Sequence, residues 1–295
     1  MALTINTNMS SLIVQKNLNA ATSMLNKSIE RMTTGYKINH AADNAAGYSI
    51  ATTWKTQLGS LDVASDNAST GADMLTTLED TYSLITSHLQ RVRDLTEQAA
   101  NGTYGSDSLK AIASEITARL EEIDRISANC EFNGLKMMDG SLTDDINLQV
   151  GLYSDSASRI ALDASLFQNG HVSALFKTFG GVGTATVAEV AKLCSGYDGT
   201  NIIGGQNEML AKIDAVISEI SSRTTTLGSA QNRIESAIES IAVQSENITS
   251  SLSTLRDADV AEESSNYIKA QILQQASATL LATANQTPSI ALNLL

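Results

Sequence analysis

Isoleucine and leucine recur in alternating steps of three and four along the C-terminal third of this chain. They stand at Ile213, Ile217, Ile220, Leu227, Ile234, Ile238, Ile241, Ile248, Leu252 and Leu255, interrupted only by Thr224, Gln231 and Ser245. A repeat every 3.5 residues predicts a long helix laid against another helix. No proline breaks it, and Gly228 is its one internal glycine. From about Gln206 to Leu255 such a helix would be roughly 75 Å long. That length suits a rod.

The frame fails at Arg256-Asp257-Ala258-Asp259, where the next seam positions fall on Asp259 and Glu262. A second helical stripe then runs through Val260, Tyr267, Ile268, Ile272, Leu273, Ala276, Leu280, Leu281 and Ala284. After Glu263 the only charged side chain is Lys269, and the chain ends on Pro288 and the apolar tail Ile290–Leu295. A solvated helix normally carries charge on its outer face. The shortage here predicts burial on several sides by other copies of the chain.

The opposite end mirrors this pattern. From Ser10 to Met32 the stripe is Leu18, Ala21, Leu25, Ile29 and Met32, with Lys16 and Lys27 the only charges before Glu30. Two striped, weakly charged terminal helices are expected to pair and still leave apolar surface for outside partners. Gly35 reads as the left-handed stop of the first helix. A polar linker, residues 36–47, follows it. From about Gln57 a heptad run carries Leu61, Ala64, Ala68, Leu75, Leu78, Tyr82, Ile85, Leu89 and Val92, ending near Asn101-Gly102. A further helix carries Leu109, Ile112, Ile116, Leu120, Ile123 and Ile126. Together with 206–255 these are expected to form an antiparallel bundle. Alternation at Ile146, Leu148 and Val150, followed by Arg159–Leu162, predicts a β-hairpin. From 163 to 205 glycines and aromatics scatter without a period, and no fold is assigned there.

The expected fold is therefore mainly α, a long antiparallel helical bundle or coiled coil built from both terminal regions. Residues 1–45 and 256–295 would form a terminal coiled coil. Residues 46–162 and 206–255 would form a rod-like bundle with its hairpin, and 163–205 a small central insert.

Composition narrows the function. The 295 residues carry a formal charge of −13, which argues against nucleic acid, since phosphate binding needs a concentrated basic face. Aromatics are 4%, so the core must be aliphatic. Cys130 and Cys194 form no Cys-x-x-Cys pair, so neither a disulfide framework nor a zinc site is indicated. No run of eighteen apolar residues is present for a membrane span, and Met1–Asn6 lacks the features of a cleaved leader. His40, His88 and His171 are isolated from one another, outside any His-Glu-x-x-His motif. Gly180-Gly181-Val182-Gly183 lacks the lysine of a phosphate loop and reads as a turn. No catalytic, cofactor or metal residue is proposed.

Several stretches resemble the bacterial flagellin family. They are Met1–Asn8; Ser28–Asn39 followed by Ala42-Asp43-Asn44-Ala45-Ala46-Gly47; Gln90–Leu95 with Gln98–Thr103; Glu115-Ile116; Glu122–Ile126; Phe132-Asn133-Gly134; and Arg256–Asp259 through Gln271–Ala276 to Ala284-Asn285-Gln286. The similarity covers about 1–162 and 206–295, in order. His40, Asn44, Tyr48-Ser49 and Thr96-Glu97 depart from the family pattern.

The resemblance implies a structural subunit that self-assembles into the flagellar filament. It implies export, unfolded, through the flagellar secretion channel without a cleaved signal peptide, to an extracellular position. Packing residues would include Leu18, Leu25, Ile29, Ile268, Ile272, Leu273, Leu280 and Leu281. Implied partners are other flagellin subunits, the flagellar cap, hook-junction proteins, and an export chaperone at the C-terminal helix. The animal innate immune flagellin receptor is implied too, through Gln90, Arg91, Arg93, Leu95, Gln98 and Glu115. A hook–filament junction protein is the alternative, sharing the terminal helices but forming no long filament. A cytoplasmic coiled-coil signalling module would keep charged outer faces, which the ends of this chain lack.

Overall fold

The computed structural model describes residues 8–177, 186–200 and 205–292, the last six as backbone alone. The Met1–Thr7 opening, the Gly180–Gly183 turn and the side chains of the Ile290–Leu295 tail lie outside the described residues. Elements run in the order α1 (Met9–Thr34), α2 (Ala45–Ala100), α3 (Ser106–Asn129), β1 (Glu131–Phe132), β2 (Leu135–Lys136), β3 (Ile146–Gln149) and β4 (Arg159–Leu162). They continue with α4 (Val172–Lys177), α5 (Val187–Ser195), α6 (Gln206–Arg256) and α7 (Val260–Leu292). The chain divides into two compact units, 1–59 with 245–295 and 60–244. The continuous helices α2 and α6 contribute to both, so these boundaries fall inside helices rather than at 45 and 256.

In the first unit α1 and α7 pair antiparallel. Asn8 Nδ2 donates to the Ala284 carbonyl at 2.7 Å, Gln274 Nε2 to Thr22 Oγ1 at 3.2 Å, and Arg31 to Glu263 at 2.7 Å. Gly35 ends α1 at φ 74°, its N–H bonded to the Arg31 carbonyl. That left-handed conformation favours glycine because it has no Cβ. α2 begins at Ala45, twelve residues before the heptad onset at Gln57, because Asn44 Oδ1 accepts from the Gly47 N–H and so caps it.

In the second unit the aliphatic rows of α2, α3 and α6 share one core. Leu75, Leu78, Ile85, Leu89, Ile116, Leu120, Ile123, Ile213, Ile220, Leu227 and Ile234 are all essentially inaccessible. β3 and β4 pair antiparallel as the sequence predicts, with Ile146 opposite Leu162. Asn133 and Gly134, both at positive φ, make the two-residue turn between β1 and β2.

The central stretch is not a separate appendage. Leu166, Phe167, Val172, Leu175, Phe176, Val190, Ala191 and Cys194 all enter the same core as the bundle helices. Tyr82 Oη, on α2, donates to the Leu166 carbonyl at 2.9 Å inside it. α5 opens with a capping box, in which Thr186 Oγ1 accepts from the Glu189 N–H and Glu189 reaches back to the Thr186 N–H. The Thr-x-x-Glu spacing is the local signal for this helix in an otherwise patternless stretch. Thr186→Ala is expected to cost about 1 kcal/mol in urea denaturation, by orphaning the Glu189 N–H. An unchanged midpoint would mean that α5 is held by packing alone.

Candidate assembly site

Small residues form the seam between α1 and α7. Ala21, Ser28, Ala270 and Ser277 are buried, as is Glu263 opposite Arg31. Small side chains let two helix backbones approach closely, but they remove little apolar surface from water. The large residues are turned away. Ile268 is 54% exposed, Ile272 60%, Leu280 57%, Leu273 42% and Ile29 44%. Leu12, Ile13, Met24, Met32 and Val260 are exposed as well, while Leu18, Leu25 and Leu281 are half-buried. All eight packing residues of the sequence reading thus lie on the terminal pair, five exposed and three at its edge. So much uncovered aliphatic surface with so few charges marks a protein-interaction surface.

The turn from α1 into α2 is tied down by polar contacts. Tyr36 bridges Asp257, Lys37 N–H donates to the Arg256 carbonyl at 2.8 Å, and Ala258 N–H donates to the Gly35 carbonyl at 2.8 Å. The Arg256 guanidinium lies 4.2 Å from the centre of the Tyr36 ring. Asp43 pairs with Lys27 at 2.7 Å and accepts from the N–H groups of Asn39 and His40, its side chain only 13% exposed. His40, one of the departures from the family pattern, reaches Glu30 at 2.8 Å.

The Lys27 ammonium and the two backbone donors hold the Asp43 carboxyl well below its ordinary range, at about 2. Because the folded state depresses it, Asp43 contributes stability that is fully present above pH 3.8 and lost as pH falls through 2. Asp43→Asn should therefore lower the melting temperature at pH 6, with a penalty that shrinks as pH falls below 3.8 and is mostly gone by pH 2. A penalty independent of pH would show that shape, not charge, holds this turn.

The residues expected to meet a receptor do not all reach the surface. Gln90, Arg91 and Gln98 are exposed, Arg93 and Glu115 half-exposed. Arg91 pairs with Glu115 at 2.9 Å, Arg93 with Asp214 at 2.6 Å, and Gln98 Nε2 donates to Tyr104 Oη at 2.9 Å. The Asp214 carboxylate raises the Arg93 pKa above its ordinary value. Leu95 is the correction. It is 2% exposed and belongs to the core with Val190, Ala191 and Cys194 of α5. Thr96, the next residue of α2, is fully buried as well, like Cys194 of α5. As folded, Leu95 has no surface to offer a partner. The Asp214 and Tyr104 partners were not foreseen either, although Asp214 flanks the Ile213 seam position where interhelical charges belong.

Reactive chemistry is weakly supported at the cysteines. Burial pushes the Cys194 thiol up to about 12 and raises Cys130, which leaves both as poor nucleophiles. Among the described residues no group of histidine, cysteine, aspartate or glutamate is placed to hold a metal, and no helix is long and apolar enough to cross a membrane.

The model for the bacterial flagellin N-terminal helical region matches residues 5–143, and that for the C-terminal helical region matches 210–295. The chain belongs to the bacterial flagellin family. It is 33% identical to a flagellin of Bacillus subtilis over 309 residues, covering 99% of each chain. It is 29% identical to polar flagellin F of Vibrio parahaemolyticus over the whole of both chains. Its fold is similar to that of a putative flagellar hook-associated protein from Vibrio parahaemolyticus, at TM-score 0.58 and 12% identity, covering 73% of this chain and 100% of that one. That last likeness concerns fold alone. As a flagellin-family member the chain is a structural subunit of the bacterial flagellum that self-assembles into the filament, and it is not an enzyme.

Proposed function

We propose that the chain polymerises by burying the uncovered aliphatic side chains of α1 and α7 against other copies, forming an inner layer around a central channel. One observation carries this. The terminal helices pair through Ala21, Ser28, Ala270 and Ser277, and leave Ile268, Ile272 and Leu280 in water. A monomer gains nothing from that arrangement, whereas a polymer buries it, at about 25 cal/mol per Å² of apolar surface. The subunit is exported unfolded through the flagellar secretion channel to an extracellular position. There it meets the cap and hook-junction proteins, with an export chaperone on α7 beforehand.

Purified chain, salted out or seeded with filament fragments, should give long tubes with a central channel by electron microscopy. A chain that stays short and soluble would favour the hook–filament junction reading.

The set Gln90, Arg91, Arg93, Gln98 and Glu115, exposed or half-exposed, is our proposed face for the animal flagellin receptor, Leu95 supporting it from within. Arg91→Ala should weaken binding of the soluble chain to the receptor ectodomain by about tenfold. Unchanged binding would remove Arg91 from that face.

A further inference from the structure

In the second unit an open groove of about 830 Å³ runs between β4 and α6, walled by Arg159 and Ile160 on one side and by Gly228, Ser229, Asn232 and Arg233 on the other. A Cβ on Gly228 would meet nothing within 4 Å, so the space above this stretch of α6 is open.

The placement of arginine singles this groove out. Among the described residues, Arg31, Arg91, Arg93, Arg119, Arg125 and Arg223 each lie within 4.0 Å of a carboxylate. Arg256 stacks on the Tyr36 ring. The two arginines that remain are Arg159, whose Nε donates to Gln149 Oε1 at 3.1 Å, and Arg233. Both line this groove. In a chain of charge −13, with 32 acidic side chains against 19 basic ones, two guanidinium groups without a carboxylate in one cleft are a conspicuous imbalance.

The counter-charge stands elsewhere on the same unit. Asp66, Asp73 and Asp80 are exposed, hold no basic side chain among the described residues, and follow one another at seven-residue steps along α2. With Leu75, Tyr82 and Leu89 at one inward heptad position and Leu78, Ile85 and Val92 at the other, these aspartates occupy the position opposite the core. They form a straight acidic row, its members about 10 Å apart. A helix is about 10 Å across, and the small residues of the groove floor suit its close approach.

An open-ended polymer requires two different, complementary faces on each subunit, since a self-complementary face closes into a dimer. We infer that the Arg159–Arg233 groove of one subunit receives the Asp66–Asp73–Asp80 face of a second copy, adding a lateral contact outside the apolar inner layer. The inference rests on the filament reading above. Its role is registry, because charge complementarity fixes the docking position and disfavours wrong partners.

The test compares the critical concentration for seeded growth across four full-length chains, with circular dichroism and thermal melts on each monomer. They are the unmodified chain, Arg159→Glu/Arg233→Glu, Asp66→Lys/Asp73→Lys/Asp80→Lys, and a chain carrying all five reversals. Both triple and double variants alter exposed side chains, so either can be judged should the other fail to fold. We expect each to raise the critical concentration by about tenfold or more at low salt, and the five-fold reversal to restore growth. Growth of either partial variant at the unmodified concentration would overturn the inference, and so would a failure of the combined reversal to rescue. If the unmodified chain itself does not elongate, the filament reading falls and this contact falls with it.

Discussion

Ile272→Asp and Leu280→Asp should each abolish filament growth while leaving the monomer's helix content and main melting transition where they are. In the single chain these side chains are 60% and 57% exposed, so a carboxylate there is hydrated and costs the fold little, within about 0.5 kcal/mol. Buried against a neighbouring subunit, the same carboxylate loses its water without gaining a partner. The scarcity of cations nearby sharpens the effect, for Lys269 is the only charged residue after Glu263. A penalty of about 3 kcal/mol per contact already weakens association by roughly two orders of magnitude. Sedimentation after seeding, paired with circular dichroism, reads both halves of the expectation. Normal growth by either variant would remove α7 from the buried layer. Loss of monomer helix would show that the row serves folding instead.

Phe176→Ala should destabilise the bundle by about 3–5 kcal/mol, and Phe167→Ala by a similar amount. Phe167 is 0% and Phe176 1% exposed, and both share the core of α2, α3 and α6. Neither site lies in a helix with a visible heptad, so the effect depends wholly on the central stretch being built into the bundle. Truncation removes the ring's burial and leaves a cavity in the core that also holds Tyr82, whose hydroxyl is already committed to the Leu166 carbonyl. Urea denaturation followed by far-ultraviolet dichroism gives the measurement. A main transition at the unmodified midpoint would mean that 163–205 is an independent module after all.

The helical rows themselves are legible in the amino-acid sequence, whereas the placement of Phe167 and Phe176 is not. The rows at 61–92, 109–126 and 213–255 are legible because a helix buried on one side must repeat its apolar residues every three or four positions. The break at Arg256–Asp259 is legible because charges on the seam cannot be buried there. The Ile146–Val150 alternation gives the hairpin for the equivalent reason at period two. Leu95 shows where this kind of inference stops. It lies one step outside the seam, next to Thr96, and a residue at that position is open or covered according to what the rest of the chain lays over it.

The sequence by itself therefore determined the long helices, the hairpin, which aliphatic rows the second unit buries, and that the termini lack the charge of solvated helices. Only the tertiary structure decided which side chains the terminal pair keeps for itself. Ala21, Ser28, Ala270 and Ser277 take the seam because small residues let two helices approach closely, and this turns the isoleucines and leucines outward. It also decided that the central stretch closes over the bundle, because Phe167, Phe176 and Cys194 have no local period and find their places only through contacts distant in sequence. Local periodicity is written in neighbouring residues. Coverage depends on residues a hundred positions away.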